Sequence, residues 1–239
     1  MTILFYPDPL NQNCKIHQHL LQLEISFHND IYKPYDIFIY WSYHKAKAEL
    51  DEFTRTHKGL NKGCDDISKT RINDFFDNIN VNPETYEGLV VRKTEGQCSL
   101  DETVMQCPTP KQDGYVYRKY IETKVDGMFV DYRLFYFGGI KFICIKRNPG
   151  PMFSRQSYTW HPMEIDCIPK AKRDEIEDKC KAFGFDIGEV DVLKDVNTGL
   201  FYVIDINNVS GLAFWNAYQY GWMRMLFTEA MDNYFKEIL

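Results

Sequence analysis

The chain has 239 residues, of which 44% are hydrophobic, with 28 basic and 34 acidic side chains and a formal net charge of −6. This composition predicts a globular core and argues against non-specific nucleic-acid binding, which depends on clustered positive charge. Seven scattered cysteines without a Cys-x-x-Cys pair, no signal-peptide pattern and no apolar stretch of membrane-spanning length predict a cytoplasmic protein with no membrane partner.

The first part of the chain predicts a small α/β layer. Two short apolar runs bounded by prolines have the character of strands: Ile3–Tyr6 and Asp36–Trp41. Two further stretches carry apolar residues at helical spacing: Lys15–Leu23 and His44–Phe53. The order strand, helix, strand, helix favours a layered α/β unit, and this unit contains no catalytic constellation.

A further helix is predicted after Ser68. Asp66 or Ser68 has the side chain of an N-cap, and four apolar residues follow at helical spacing: Ile72, Phe75, Phe76 and Ile79. Lys69 then lies in the first turn, where a cation opposes the helix dipole but where backbone N–H groups also bind phosphate. The pattern alone leaves open both a surface lysine and a phosphate-binding lysine.

Two strands are predicted on either side of a polar segment. Gly88–Lys93 is an apolar run that ends in a lysine, and Gly114–Glu122 alternates apolar with polar residues. Between them, Thr94–Pro108 is predicted to be irregular. Lys93 is either a solvated strand end or a contact for a ligand.

The next segments predict a hairpin and two helices. Val130–Phe135 and Lys141–Arg147 flank a Gly-Gly pair and therefore predict a hairpin with a tight turn. Trp160-His161 is predicted to lie in a loop. Lys170–Phe183 has helical spacing and a glycine stop, and Ala213–Leu239 is a long helical pattern whose aromatic residues we interpret as core.

A second hairpin carries a row of oxygen-bearing side chains. Its two apolar runs, Glu189–Leu193 and Leu200–Ile206, are joined by a turn-rich connection. Polar residues alternate with apolar ones through it: Glu189, Asp191, Asp205 and Asn207. A period of two puts each pair on one face of its strand, and a hairpin lets the two faces coincide. Carboxylate and amide oxygens suit Mg²⁺, although a solvated outer face gives the same pattern.

Taken in order, these phrases resemble the ATP-grasp superfamily over about residues 59–211. The matching phrases are Ser68-Lys69 with Pro83-Glu84-Thr85, the strand ending at Lys93, Lys119-Tyr120-Ile121-Glu122, Asp131-x-Arg133, Gly188-Glu189-Val190-Asp191 and Asp205-x-Asn207. The chain departs from the family where Arg118 replaces the usual glutamine and where Val209-Ser210-Gly211 lacks the usual proline.

The resemblance implies an α+β, ATP-grasp fold in which two α+β lobes clamp ATP. It also implies a division into a short N-terminal α/β layer, residues 1–58, and an ATP-grasp domain, residues 59–239. In this family the adenine is read by backbone groups at the hinge between the lobes, so the side chains there are free to vary.

The resemblance also implies the roles of individual residues. Lys69 and Lys93 are expected to contact the phosphates. The nucleotide contacts expected at the hinge are Lys119, Tyr120, Ile121 and Glu122, of which Glu122 binds the ribose. The catalytic cations are Arg133 and Arg147. The ligands of Mg²⁺ or Mn²⁺ are Asp191, Asp205 and Asn207.

The implied reaction is the phosphorylation of a carboxylate by Mg-ATP, followed by attack of an amine or a similar nucleophile. The expected partners are ATP, a small-molecule or peptide carboxylate and an amine acceptor. Two alternatives remain open from the sequence. One is a kinase that phosphorylates a hydroxyl group, for which His161 is the candidate base, and the other is a nucleotide-binding module without turnover.

Overall fold

The computed structural model describes residues 1–10, 15–42, 52–95, 102–150, 159–208 and 221–238. Within these ranges the chain forms three β-sheets with helices packed against them. None of the helices in the described ranges is long and apolar enough to cross a membrane.

The first sheet is parallel and lies near the N-terminus. Its strands are β1 (Thr2–Pro7), β2 (Ser26–His28), β3 (Ile37–Trp41) and β4 (Gly59–Leu60), in the spatial order β2-β1-β3-β4. Two helices accompany it: α1 (Lys15–Gln22) and α2 (Glu52–Thr56). Strand β3 is buried along its whole length, as expected for a strand covered on both faces. The two strands and the first helix predicted from the sequence are confirmed, whereas residues 44–51 of the predicted second helix lie outside the described residues.

The second sheet is antiparallel and has three strands. They are β5 (Gly88–Thr94), β6 (Thr103–Cys107) and β7 (Tyr115–Lys119), in the order β6-β5-β7. Helix α3 (Lys69–Phe76) precedes them, and its N-cap is Ser68, whose Oγ accepts a hydrogen bond from the N–H of Arg71. The prediction of an irregular segment up to Pro108 was wrong for β6, because pairing with the edge of β5 gives this short run a ladder that its local sequence does not signal.

The third sheet is the largest. Its strands are β8 (Lys124–Val125), β9 (Met128–Phe137), β10 (Ile140–Asn148), β11 (Thr159–Met163), β12 (Ile187–Lys194) and β13 (Phe201–Asn207). The order is β11-β10-β9-β12-β13, with β8 beside β9. The prediction that Trp160 and His161 lie in a loop was wrong, because both residues pair with β10 and Trp160 packs into the core.

Two helices complete the fold. They are α4 (Lys170–Phe183) and α5 (Gly221–Ile238), and a short 3-10 turn, Ile165–Cys167, precedes α4. Gly184 ends α4 with φ of 77°, a left-handed conformation that favours glycine. The sequence predicted both helices, although residues 213–220 and 239 of the second pattern lie outside the described residues.

The first and third sheets share two apolar cores. Ile3 and Phe5 of β1 pack with α5 and one face of the large sheet, while Leu4 packs with α3, α4 and the opposite face. This is the alternation of a strand buried on both sides. Strand β4, at residues 59–60, belongs to the first sheet, so this sheet continues past residue 58. The division of the chain into two domains at that residue stays a prediction.

Asn61 joins the two sheets directly. This fully buried residue follows β4 and has φ of 57°. Its Oδ1 accepts hydrogen bonds from the N–H groups of Asp186 and Ile187 at 2.8 and 2.9 Å, and its Nδ2 donates to the carbonyl of Ile187 at 2.9 Å. Its own N–H donates to the Asp186 carboxylate at 2.6 Å. One asparagine therefore fixes the start of β12 against the end of β4.

We expect Asn61→Ala to lower the free energy of unfolding by about 3 kcal/mol or more, because it leaves buried peptide groups without partners. Asn78→Ala is the matched control, since Asn78 also has a positive φ, of 47°, but is exposed. The control should lose no more than roughly 1–2 kcal/mol, the cost of the left-handed backbone alone. Urea unfolding of both variants measures the difference, and equal losses would contradict the role given to the Asn61 amide.

Candidate functional site

The hairpin of β12 and β13 brings the oxygen-bearing side chains together. Glu189 lies opposite Asn207 and Asp191 lies opposite Asp205 in the antiparallel register. Directly opposite residues of a strand pair project on the same face of the sheet. The convergence expected from the alternating pattern is therefore present in the structure.

A β-bulge follows this row of oxygens. The register shifts after the Asp191 pair, so that Val192 lies opposite Val203 and Ile204 becomes the extra residue of β13. Beyond the bulge lies a small apolar cluster, which consists of Ile79, Ile121 and Leu193 with Tyr202 and Ile204 packed against them. Bulges re-aim side chains. Here the result is an apolar patch directly beside a row of carboxylates.

Arg133 of β9 holds the acids of β12. Its Nε and Nη2 donate to the two carboxylate oxygens of Asp191 at 2.7 and 3.0 Å, and its Nη1 lies 2.7 Å from Glu189 Oε2. The guanidinium carbon is 5.2 Å from the ring centre of Trp160. Glu189 is fully buried, so the guanidinium provides the charge that its carboxylate needs in this environment.

Asp131, Lys146 and Arg118 extend the charged face. Asp131 and Lys146 are cross-strand partners on β9 and β10, and Asp131 shares the face of Arg133 because the two are separated by one residue. Burial raises the pKa of Asp131 to about 7, with the nearby Lys146 and Arg118 opposing the rise and Asp191 adding to it. Arg118 belongs to the small sheet, so charges from both sides of the space between the two sheets, the cleft, affect the pKa of this carboxyl.

The structure does not bring Arg147 into this cluster. Arg147 is exposed and pairs with Val130, which places it on the opposite face of the sheet from Arg133. Lys146 occupies the position on the shared face instead. The sequence gives Lys146-Arg147 as adjacent cations, and only the pairing register between β9 and β10 decides which of them faces the cleft.

The small sheet presents its own charged face. Lys93 and Arg118 lie on the same face of β5 and β7, since Lys93 pairs with Val116, two residues before Arg118. Both cations approach one carboxylate: Lys93 forms a salt bridge with Glu102, and Arg118 Nη2 is 4.0 Å from the same oxygen. Glu102 lies in the segment Thr94–Pro108 that the sequence predicts to be irregular. No local signal in the sequence identifies it as a partner of these cations.

The lysine at the start of α3 lies near the end of β5. Lys69 is buried, and its Nζ donates to the backbone carbonyl of Glu95 at 3.3 Å. The Glu95 carboxylate accepts hydrogen bonds from the N–H and Oγ1 of Thr70 at 3.1 and 2.9 Å. The helix N-terminus thus has a carboxylate against it, as its positive end favours.

The segment from Lys119 to Glu122 connects the small and large sheets. The N–H of Lys119 donates to Ile79 and that of Tyr120 to Leu89, while the carbonyl of Glu122 accepts from Val196. The Glu122 carboxylate accepts hydrogen bonds from the Tyr120 hydroxyl at 3.3 Å and from the Lys124 N–H at 3.0 Å. Ile121 points into the apolar patch. The hinge implied by the resemblance falls on this segment and stays a prediction.

The donor set suits a hard divalent cation in part. Asp205 and Asn207 supply a carboxylate and an amide oxygen on the cleft side, next to Asp191, whose two oxygens already accept from Arg133. Among the described residues there is no cluster of three or more histidine, cysteine, aspartate or glutamate side chains arranged for a metal. A Mg²⁺ ion here needs further oxygens, and substrate phosphates and water commonly provide them.

Comparison with known proteins identifies the fold. No protein-family model and no curated protein sequence matches the chain. Among solved structures, the macrocyclase MdnC from Microcystis aeruginosa MRC, bound to its precursor peptide MdnA, aligns with a TM-score of 0.55 at 14% identity, over 96% of this chain and 98% of that one. D-alanine–D-alanine ligase from Bacillus anthracis, complexed with ATP, gives 0.54 at 13% identity over 98% and 95%.

A further similar structure is the ATP-grasp ligase PsnB complexed with minimal precursor, Mg and ADP, with a TM-score of 0.56 at 10% identity over 87% of this chain and 88% of that one. The resemblance to the ATP-grasp superfamily and the predicted α+β fold class are therefore confirmed at the level of the fold. The chain has the ATP-grasp fold across nearly its whole length.

We expect Arg133→Met to lower the free energy of unfolding by about 3–5 kcal/mol, because it removes the cation that accompanies the buried Glu189 carboxylate. Adding Glu189→Gln should recover part of the loss by removing that charge. Lys170→Met is the control, since Lys170 forms an exposed salt bridge with Asp174 and its loss should cost less than about 1 kcal/mol. If denaturant unfolding shows similar losses for Arg133→Met and Lys170→Met, the buried ion pair is not structural.

Proposed function

We propose that the protein is a Mg-ATP-dependent ligase that activates a carboxylate as an acyl phosphate for attack by an amine or a similar nucleophile. The observation that carries the proposal is the order of features along one face of the large sheet. An apolar patch beside the hinge adjoins a row of oxygen-bearing side chains, and Arg133 lies opposite Asp191 on the neighbouring strand. A nucleotide has the same order: an apolar base, then phosphates that bind metal.

The base would lie on the apolar patch. Ile121 and Ile204 contribute apolar surface there, and the backbone of Ile121 would contact the polar edge of the base. Glu122, held by Tyr120 and Lys124, is fixed in orientation and would accept hydrogen bonds from the ribose hydroxyls.

Asp205, Asn207 and Asp191 would hold Mg²⁺ or Mn²⁺. When bound, the cation supplies charge neutralisation for the phosphates and orients them. Lys69 and Lys93 are the proposed phosphate contacts of the chain itself. Such electrostatic positioning is most of what phosphoryl transfer requires from a protein.

Arg133 and Lys146 would hold the carboxylate acceptor. Two anions, the γ-phosphate and the substrate carboxylate, must approach each other in the reaction, and fixed cations offset their repulsion. Arg133 is held by Asp191, Glu189 and Trp160, so little reorganisation accompanies the reaction. Arg147 was a candidate for the same role, but its position on the other face favours Lys146.

The kinase alternative depends on a base for a hydroxyl acceptor. His161 pairs with Ile145, which puts it on the face opposite Arg133, and its Nε2 lies 2.9 Å from the Thr159 hydroxyl. Asp131 is on the cleft face, and burial raises its pKa to about 7, so it could take a proton near neutral pH. Product analysis therefore has to separate the two reactions.

The similar structures support acceptors of two kinds. MdnC was solved with a precursor peptide, and D-alanine–D-alanine ligase and an L-amino acid ligase from Bacillus licheniformis carry amino acids in their names. Both a peptide and a small amino acid have the carboxylate and the amine that the proposed reaction joins. The proposal for this chain therefore covers a small-molecule or peptide carboxylate.

The direct test supplies Mg-ATP and a panel of amino acids and acidic peptides with hydroxylamine as the nucleophile. A ligase should release phosphate together with ADP and form a hydroxamate from the carboxylate. A kinase should form ADP and a stable phosphorylated product without free phosphate. If ATP does not bind to the protein at all, measured by calorimetry, the proposed function is wrong.

We expect Asp205→Ala and Asn207→Ala to remove Mg²⁺-dependent ATP turnover, by about a hundredfold or more, without a large change in unfolding free energy. Asp195→Ala is a control that removes an acid from the turn of the same hairpin, outside the oxygen row. Turnover is measured by ADP release across a Mg²⁺ titration. Full activity of both site variants at saturating Mg²⁺ would contradict the assignment of these ligands.

A further inference from the structure

Two cations of the small sheet converge on a single buried carboxylate. Lys93 and Arg118 come from neighbouring strands and lie on the same face of the small sheet. Glu102 receives a salt bridge from Lys93, and its oxygen lies 4.0 Å from Arg118 Nη2. The Glu102 side chain is only 7% exposed. Two cations around one carboxylate form a binding arrangement for an anion.

Arg118 is incompletely satisfied by this arrangement. The residue is 9% exposed, and its Nε is buried without a hydrogen-bond partner among the described residues. The 4.0 Å separation from Glu102 is an ion pair and is too long for a hydrogen bond. A buried N–H group without a partner is unfavourable, so a ligand with more acceptor oxygens than one carboxylate would bind here more strongly.

Arg118 is also near the candidate nucleotide site. Its charge helps to lower the pKa of Asp131 on the large sheet, against the larger rise that burial causes. It lies directly before the hinge at Lys119 and one strand away from Lys93. An anion that reaches Lys93 in the cleft is therefore also within the field of Arg118. The glutamine usual at this position in ATP-grasp proteins carries no charge, so the arginine is a feature of this chain.

We propose that Arg118 is an additional binding residue for the phosphates of the nucleotide and that Glu102 occupies this anion site until the nucleotide displaces it. This inference rests on the proposed function, because it assumes that ATP is the ligand of the cleft. In the absence of nucleotide, Glu102 neutralises Lys93 and Arg118. When the nucleotide binds, its phosphate oxygens replace the Glu102 carboxylate as the partners of both cations, and the carboxylate moves away.

The two side chains therefore have opposite effects on affinity. Removing the charge of Glu102 removes a competitor, so Glu102→Gln should bind ATP about three- to tenfold more tightly than the wild type. Removing the cation removes an attraction, so Arg118→Gln should bind ATP about tenfold more weakly. Adenosine carries no phosphate, and its affinity should change less than twofold in both variants.

The experiment measures dissociation constants of ATP, ADP and adenosine by calorimetry for the wild type and the two variants. Arg92→Gln is the matched control for the cation, because Arg92 lies on the same strand as Lys93 but on the other face of the sheet. Glu87→Gln is the control for the acid, since Glu87 is exposed just before β5. Neither control should change ATP affinity more than twofold.

Each outcome decides between the alternatives. Tighter ATP binding by Glu102→Gln together with weaker binding by Arg118→Gln supports the inference. ATP affinity that is unchanged or weakened in Glu102→Gln overturns the displaced-anion role, and equal losses for ATP and adenosine in Arg118→Gln indicate a structural arginine. If the wild type binds no ATP, the proposed function itself is wrong. If the wild type binds ATP and neither variant changes the affinity, only the inference about Arg118 and Glu102 is wrong.

Discussion

The ion cluster of Arg133, Glu189 and Asp191 is the interaction on which the rest of the large sheet depends. Glu189 is fully buried beside an apolar core, and an ionised carboxylate in such surroundings costs several kcal/mol unless a cation accompanies it. Arg133 provides that cation and at the same time holds Asp191 through both oxygens. The arginine therefore marks the line on one sheet face where the apolar core ends and the polar cleft begins.

From that line the remaining features follow by strand geometry. Moving along β12 from Glu189, every second residue stays on the same face, so Asp191 and then Leu193 face the cleft. The bulge opposite Val192 adds Ile204 to the partner strand and keeps the apolar patch on the cleft side of the hairpin. The carboxylates and the apolar patch are thus neighbours because only one residue, Val192, separates Asp191 from Leu193 along the strand.

The sequence predicted the side chains on the cleft face of the β12–β13 hairpin better than it predicted the strands around that hairpin. Alternation is a local property, so the convergence of Asp191 with Asp205 was readable from spacing alone. The choice between Lys146 and Arg147 was not, because it depends on the register with β9, including an irregularity near Ile140. The strand β6 was missed for a similar reason, since the pairing that forms it is made with β5 and not within its own five residues. Non-local pairing was the information that the single sequence lacked.

Charge balance in the cleft indicates why a metal belongs to the proposed reaction. Each cation named there already has an acidic neighbour: Arg133 with Asp191, Lys93 with Glu102, Lys146 with Asp131. Side chains that neutralise one another leave little net positive charge for a polyphosphate. A nucleotide bound as proposed would therefore displace an internal acid or arrive with its own cation, and Mg²⁺ normally accompanies ATP through shared phosphate oxygens. At 10–14% identity to proteins with the same fold, the chain keeps the ATP-grasp fold and has its own arrangement of charges on the faces of its sheets.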